Sequence, residues 1–192
     1  LTISDSNYVV VRANVLHNEY GRNHVIWHCA RVLFEGNILT RARDSAGSAG
    51  SQSQTTHDDS IIRHNRFFDN LGTTIEFDGR IFSGISPTGR FHEPFWVRSN
   101  RVYHNTFTGN PDYCLSLRAY SCANLFQNNI LHRNDFDGGN IQIVRRDGEG
   151  AGNRFITNLV SGTAAGQTVI LSRDEYWTAA EADENTPTYG GF

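Results

Sequence analysis

The sequence predicts an all-β repeat solenoid with three short strands per coil of about 24 residues, and two observations carry that prediction. The first is a recurring hexapeptide: an asparagine, an apolar residue two places on, and a second asparagine five places on. It stands at Asn65-Arg66-Phe67-Phe68-Asp69-Asn70, Asn105-Thr106-Phe107-Thr108-Gly109-Asn110, Asn129-Ile130-Leu131-His132-Arg133-Asn134 and Asn153-Arg154-Phe155-Ile156-Thr157-Asn158, with weaker forms from Asn14 to Asn18 and at Asn37-Ile38-Leu39. The second is spacing. The leading asparagines fall at 14, 37, 65, 105, 129 and 153, steps of 23, 28, 40, 24 and 24 residues, so a period near 24 is interrupted by two longer turns. Units of this kind bury their apolar faces on one another.

In order, Tyr8-Val9-Val10-Val11 opens the chain as a strand, with a short apolar step at Leu16, then Val25-Ile26-Trp27, Val32-Leu33-Phe34 and Ile38-Leu39. These short runs, rich in β-branched and aromatic residues and separated by Asn and Gly, read as strands. Residues 44–56, DSAGSAGSQSQTT, form a first insertion, read either as a functional loop or as a disordered segment without a role. Ser53-Gln54-Thr55 takes the place of a third strand there, and Ile75-Glu76-Phe77 closes the next coil. A second insertion, 80–96, stretches one step to 40 residues; its Phe82, Ile85, Phe91, Phe95 and Trp96 suit a segment folded back over the body. Beyond it the coils are regular, with alternating triplets at Leu115–Leu117, Ile141–Ile143 and Val169–Leu171 as third strands. The tail, 172–192, is read as a cap: Ser172-Arg173-Asp174-Glu175 has capping-box spacing, and Tyr176 to Glu184 predicts a short helix.

At 192 residues the chain makes one domain, 1–192, with room for a sizeable core. A net charge of -3 and a pI near 6.2 argue against nucleic acid as a partner. All 17 basic residues are arginine, which excludes any lysine base or Schiff base. No apolar run approaches the ~20 residues of a membrane span. The absence of Met and a start within a coil read as a processed secreted protein or a piece of a longer chain. Cys29, Cys114 and Cys122 match no zinc pattern; Cys114 and Cys122 bridge across one turn, or all three serve as small buried hydrophobes.

The repeats HNRFFDN, HNTFTGN, NNILHRN and GNRFITN resemble those of the right-handed parallel β-helix of the pectate lyase-like superfamily, over roughly residues 1–171. That resemblance implies the fold. It leaves activity open, because such folds host lyases, glycosidases, epimerases, tailspikes, adhesins and non-catalytic proteins. Polyuronate lyases of similar fold use an arginine or lysine base with calcium held by several acids; here a base would come from Arg80, Arg118 or Arg145. The paired-aspartate motifs of polygalacturonase-like glycosidases are not matched, although Asp58-Asp59 adjoin His57. The asparagines have a physical reason of their own: Asn tolerates the left-handed backbone of a corner, and an amide repeated in each coil can bond its copy one strand spacing, about 4.8 Å, away. They read as structural ladders.

Chemistry is expected elsewhere. Aligned on the leading asparagine, the ends of the third strands form a charged column: His28; His57, Asp58 and Asp59; Asp78 and Arg80; Arg118; Arg145, Arg146 and Asp147; Arg173 and Asp174. At about 4.8 Å per coil this makes a seam of about 25 Å, suited to an extended polymer. Arg80, Arg118, Arg145, Arg146 and Arg173 are the candidates for gripping carboxylates or sulfates. His57, Asp58 and Asp78 are the candidates for acid/base work, or for holding a divalent cation such as calcium. His64 and His104 share one station, and His17 and His132 another, so each pair reads as stacked turn residues. Trp27, Trp96, Tyr113 and Tyr120 are available to stack on sugars or to fill the core. The functional expectation is a secreted or cell-surface protein that binds an acidic polysaccharide along the seam and, if an enzyme, cleaves or epimerises it as a lyase or glycoside hydrolase would. The alternative is a non-catalytic structural or adhesin-like β-helix, a homo-oligomer or an end-to-end assembly.

Overall fold

A step of five residues, three in a strand and two at a corner, generates most of the structure. Arg101–Tyr103 is followed by His104 and Asn105, and Thr106–Thr108 by Gly109 and Asn110. Side chains alternate across a strand, so a three-residue strand sends only its middle residue inward. Val102 and Phe107 are accordingly buried while their strand neighbours are not.

A computed structural model of the chain describes residues 1–17, 23–27, 29–42, 57–71, 74–77, 97–111, 114–117, 121–134, 143–145, 152–162, 168–172 and 175–178. Coil stacked on coil pairs these strands in parallel, which makes the chain an all-β parallel β-helix. Sheet I joins strands 10–12, 33–35, 61–63, 101–103, 125–127 and 154–156; sheet II joins 15–17, 38–40, 66–68, 106–108, 130–132 and 159–161. The expected third row, sheet III, pairs 2–4 with 25–27 and unites 75–77, 115–117, 143–145 and 168–172. The sequence reading of three strands per coil misses a fourth row, sheet IV, whose strands 29–30, 57–58, 97–98 and 121–122 are only two residues long. So short a strand carries no alternation to recognise.

The inward columns form one core. Val11, Phe34, Ile62, Val102, Phe126 and Phe155 line it from sheet I, and Leu39, Phe67, Phe107 and Leu131 from sheet II. Phe67 stacks on Phe107 with ring centroids 4.8 Å apart, and Phe126 on Phe155 at 4.9 Å, so aromatic stacking repeats at the strand spacing.

The corners carry three asparagine columns. The first runs Asn14, Asn37, Asn65, Asn105, Asn129, Asn158; the second Asn70, Asn110, Asn134; the third Asn100, Asn124, Asn153. At Asn105 the amide Nδ2 donates to Asn129 Oδ1 (3.0 Å) and to the Ile62 carbonyl (2.9 Å), while its Oδ1 accepts from the Asn65 backbone N–H (3.0 Å) and Nδ2 (2.9 Å). Both donors and both lone pairs are used, which is what a fully buried amide requires. Ser60 extends the third column, donating its N–H to Asn100 Oδ1 and accepting the Val32 N–H on its Oγ. The second column is broken at Ala42: Asn23 reaches across two coils and donates to Asn70 Oδ1 (3.2 Å), beside the Ala42 N–H.

Two expectations about these asparagines divide. The ladders form as expected. The left-handed backbone, however, belongs to the residue before each asparagine: Gly36, His64, Ser99, His104, Gly109, Ala123, Asn128 and Arg133 all have φ between 52° and 63°, and none of the ladder asparagines does. Asparagine is selected at these corners for its amide, and the residue ahead of it absorbs the turn.

Three further readings are corrected. Asn153 bonds Asn124, and Asn158 bonds Asn129, each across 29 residues, so the last coil is five residues longer than the spacing of 24 assigned to it. The third strand expected at 141–143 is Ile143–Arg145; in the apolar run Ile143-Val144 a period-2 pattern leaves the register open, and pairing with Leu115–Leu117 fixes it. The helix expected from Tyr176 does not form at its start: Glu175–Thr178 is a strand antiparallel to 168–172, with Ser172 opposite Glu175 and Leu171 opposite Tyr176. A Ser-x-x-Glu spacing suits the flanks of a two-residue hairpin as well as a capping box, and Tyr-Trp-Thr favours the strand. Residues 179–184 lie outside the described residues.

Candidate functional site

The variation in coil length is confined to one side of the solenoid. Wherever both strands are described, two residues link sheet IV to sheet I and two link sheet I to sheet II. The links into and out of sheet III differ from coil to coil: Phe68 to Ile75 but His132 to Ile143 on entry, Phe77 to Val97 but Leu117 to Ser121 on exit. Both insertions recognised in the sequence therefore fall between a sheet II strand and the next sheet IV strand, the stretch that carries sheet III in other coils; residues 44–56 and 80–96 themselves lie outside the described residues. The two-residue corners are held by buried ladders; the second column, Asn70, Asn110 and Asn134, stands at the start of the link into sheet III, and the length varies beyond it.

The predicted site residues do not share one register. Arg145 ends a sheet III strand, opposite Leu117 and Ser172. His57 and Asp58 form a sheet IV strand instead, with His57 opposite Cys29 and Asp58 opposite Ala30 and Arg98. The charged column inferred from sequence thus merges two rows. Asp58 Oδ2 accepts from Arg98 Nε at 3.1 Å, a partly exposed ion pair between adjacent coils, and its other oxygen is buried without a hydrogen-bond partner. Asp78, Arg80, Arg118, Arg146 and Arg173 lie outside the described residues, as do His28, Trp96, Tyr113 and Tyr120. Among the described residues no group of three His, Cys, Asp or Glu side chains is placed to hold a metal ion.

The stacked-turn reading holds for His64 and His104 but not for His17 and His132, which end sheet II strands and do not stack on each other. The His64 and His104 rings lie 5.2 Å apart at one corner position, and Asn128 Nδ2 contacts His104 Nε2 at 3.3 Å in the next coil. His17 and His132 occupy one sheet II column, four coils apart. No disulfide joins Cys29, Cys114 and Cys122; the first two are buried, and burial pushes the Cys122 thiol up from its ordinary pKa.

A polar row on sheet I was missed. Arg12 donates to Glu35 Oε2 (2.9 and 2.7 Å), Arg63 Nε donates to Glu35 Oε1 (2.9 Å), and Arg63 Nη1 donates to the Tyr103 hydroxyl (2.9 Å), linking four coils. The hydrogen bond from Arg12, with the charges of both arginines, holds the Glu35 carboxyl below the usual glutamate range against its partial desolvation. A signal existed: each of these residues stands two places before a first-column asparagine.

No protein-family model, curated protein or solved structure matches the chain. No helix among the described residues is long and apolar enough to cross a membrane.

Proposed function

We propose that this is an extracellular, pectate lyase-like β-helix that binds an acidic polysaccharide along sheet III, between the segments of variable length that flank it. One observation supports the reading: wherever both strands are described the other corners are two residues long, and both insertions fall between sheets II and IV, the stretch that carries sheet III in other coils. Insertions gathered on one face of a repeat protein commonly mark its binding face, because loops on a rigid scaffold can vary without disturbing the core. Arg145 ends a sheet III strand and is the described candidate cation of that row, and arginine is the residue type that pairs bidentately with carboxylates. The reading is one of binding: Asp58, the described acid among the catalytic candidates, is engaged with Arg98 in a different row. Isothermal titration with polygalacturonate and neutral glucans tests it. Binding of the acidic polymer that weakens in Arg145→Ala and Arg118→Ala is expected, and indifference to both polymers sinks it; the appearance of unsaturated products or reducing ends would add catalysis.

A second reading, a non-catalytic structural or adhesin-like component, is favoured by a row on sheet II. Ile130 and Leu159, 41% and 58% exposed, are neighbours at one end of a column whose other end holds Val15, 66% exposed, and Ile38, with Arg66 and Thr106 between the two apolar pairs; the Ile130–Leu159 end is the part that a second copy could cover. Sedimentation showing a concentration-dependent dimer that Ile130→Asp abolishes would support it; a monomer at all concentrations would not.

A further inference from the structure

We propose that the outward face of sheet I is a second anion-binding surface, taking an acidic glycan laid along the stacking axis with Arg101 and Arg154 as its cations. The proposal rests on the reading above for the class of ligand and departs from it in the site. The outward positions of this sheet hold four arginines, Arg12, Arg63, Arg101 and Arg154, against one acid, Glu35, in a chain whose net charge is -3. A basic face on an acidic protein is a concentrated feature.

The arginines divide by their partners. Arg12 and Arg63 are committed to Glu35, which neutralises one of them and holds both side chains in the row. Arg101 and Arg154 are exposed and form no ion pair among the described residues. They occupy one column, with only Leu125 between them, so they stand two strand spacings, about 10 Å, apart on a parallel sheet. That geometry suits a polymer whose charged groups recur at alternate residues.

The neighbouring column supplies hydrogen-bonding groups without further charge. Tyr103 and Gln127 are half-buried beside Arg101 and Leu125, offering a hydroxyl and an amide to sugar hydroxyls. Among the described residues Tyr103 is the only aromatic at an outward strand position of this sheet, with the His64 and His104 rings at the corner beside it, and a single-stranded nucleic acid would need a succession of rings along the face to stack its bases on. Wherever both strands are described, the links on both borders of the face are two residues long, so none of those links carries an insertion that would obstruct a long chain.

The test uses the full chain and two probes, polygalacturonate oligosaccharides and a single-stranded DNA oligonucleotide of equal charge, with wild type, Arg101→Ala/Arg154→Ala, Arg101→Lys/Arg154→Lys and Arg145→Ala. The alanine pair is expected to weaken oligogalacturonate binding about tenfold, as loss of two exposed charge-assisted contacts should, with an unchanged unfolding midpoint. The lysine pair is expected to retain more than the alanine pair. Wild-type affinity in the alanine pair, with loss confined to Arg145→Ala, overturns this proposal and leaves sheet III as the site. Tighter binding of the oligonucleotide than of the glycan also overturns it, and absence of glycan binding by wild type removes both readings together.

Discussion

Asn65 donates its backbone N–H and its amide Nδ2 to the Oδ1 of Asn105, at 3.0 and 2.9 Å, so a single side-chain oxygen closes the corner of the preceding coil. Replacing Asn105 with alanine leaves two buried donors and the Ile62 carbonyl without their partner. At ~1–3 kcal/mol for each buried group left unsatisfied, Asn105→Ala should lose about 3 kcal/mol or more in urea unfolding. Asn14→Ala, in the exposed first coil, should lose ~1 kcal/mol, the worth of a solvent-accessible hydrogen bond. Equal losses at the two positions would remove the ladder as the source of stability.

The corner residue should behave oppositely. Ala123 sits at φ 52°, where an L-residue costs ~1–2 kcal/mol and glycine's extra chain entropy offsets only part of that. Ala123→Gly should therefore stabilise by about 0.5–1 kcal/mol. Gly162, at φ 87°, cannot take the reverse change, since a Cβ there would lie 2.8 Å from the Arg133 backbone nitrogen and would clash with its Cγ. Gly162→Ala should destabilise, visible as a lower unfolding midpoint.

Glu35 makes a prediction with a sign. Its folded pKa is depressed, first by the Arg12 hydrogen bond, so its contribution is present above the unfolded glutamate value and lost as pH falls through the folded one. The stability difference between wild type and Glu35→Gln should be greatest near neutral pH and vanish on acidification below the ordinary glutamate range. The difference should narrow at high salt, because the Arg12 side chain is 60% exposed, although Glu35 itself is only 17% exposed.

The Asp58–Arg98 pair should matter little to folding. With side chains 32% and 56% exposed, Arg98→Ala should cost less than about 1 kcal/mol. A much larger loss would point to a role for the buried Asp58 oxygen that the pair alone does not supply.

Legibility followed the asparagines. Asn65, Asn105 and Asn129 announced their column because a buried amide that uses all its hydrogen-bonding groups cannot readily be replaced by another side chain, and the motif around it repeats. Asn153 was misplaced for the same reason: columns five residues apart share one local pattern, so GNRFITN fits either, and only pairing with Asn124 decides. The charged column inherited this ambiguity. It joined His57 and Asp58 of sheet IV to Arg145 of sheet III, because a two-residue strand leaves no alternation to separate it from the end of the strand before. The row of Arg12, Glu35, Arg63 and Tyr103 was hidden differently, since its members alternate in charge and type and become a unit only when stacked.

Hydrogen exchange with and without polygalacturonate tests the central claim, that an acidic glycan lies along sheet III, most directly. The account predicts new protection in 115–117 and 143–145 and the segments that flank them, separate from any at the second surface on 101–103, 125–127 and 154–156, with sheet II unchanged. Protection confined to 15–17, 106–108 and 130–132, or none anywhere at saturating polymer, would contradict it.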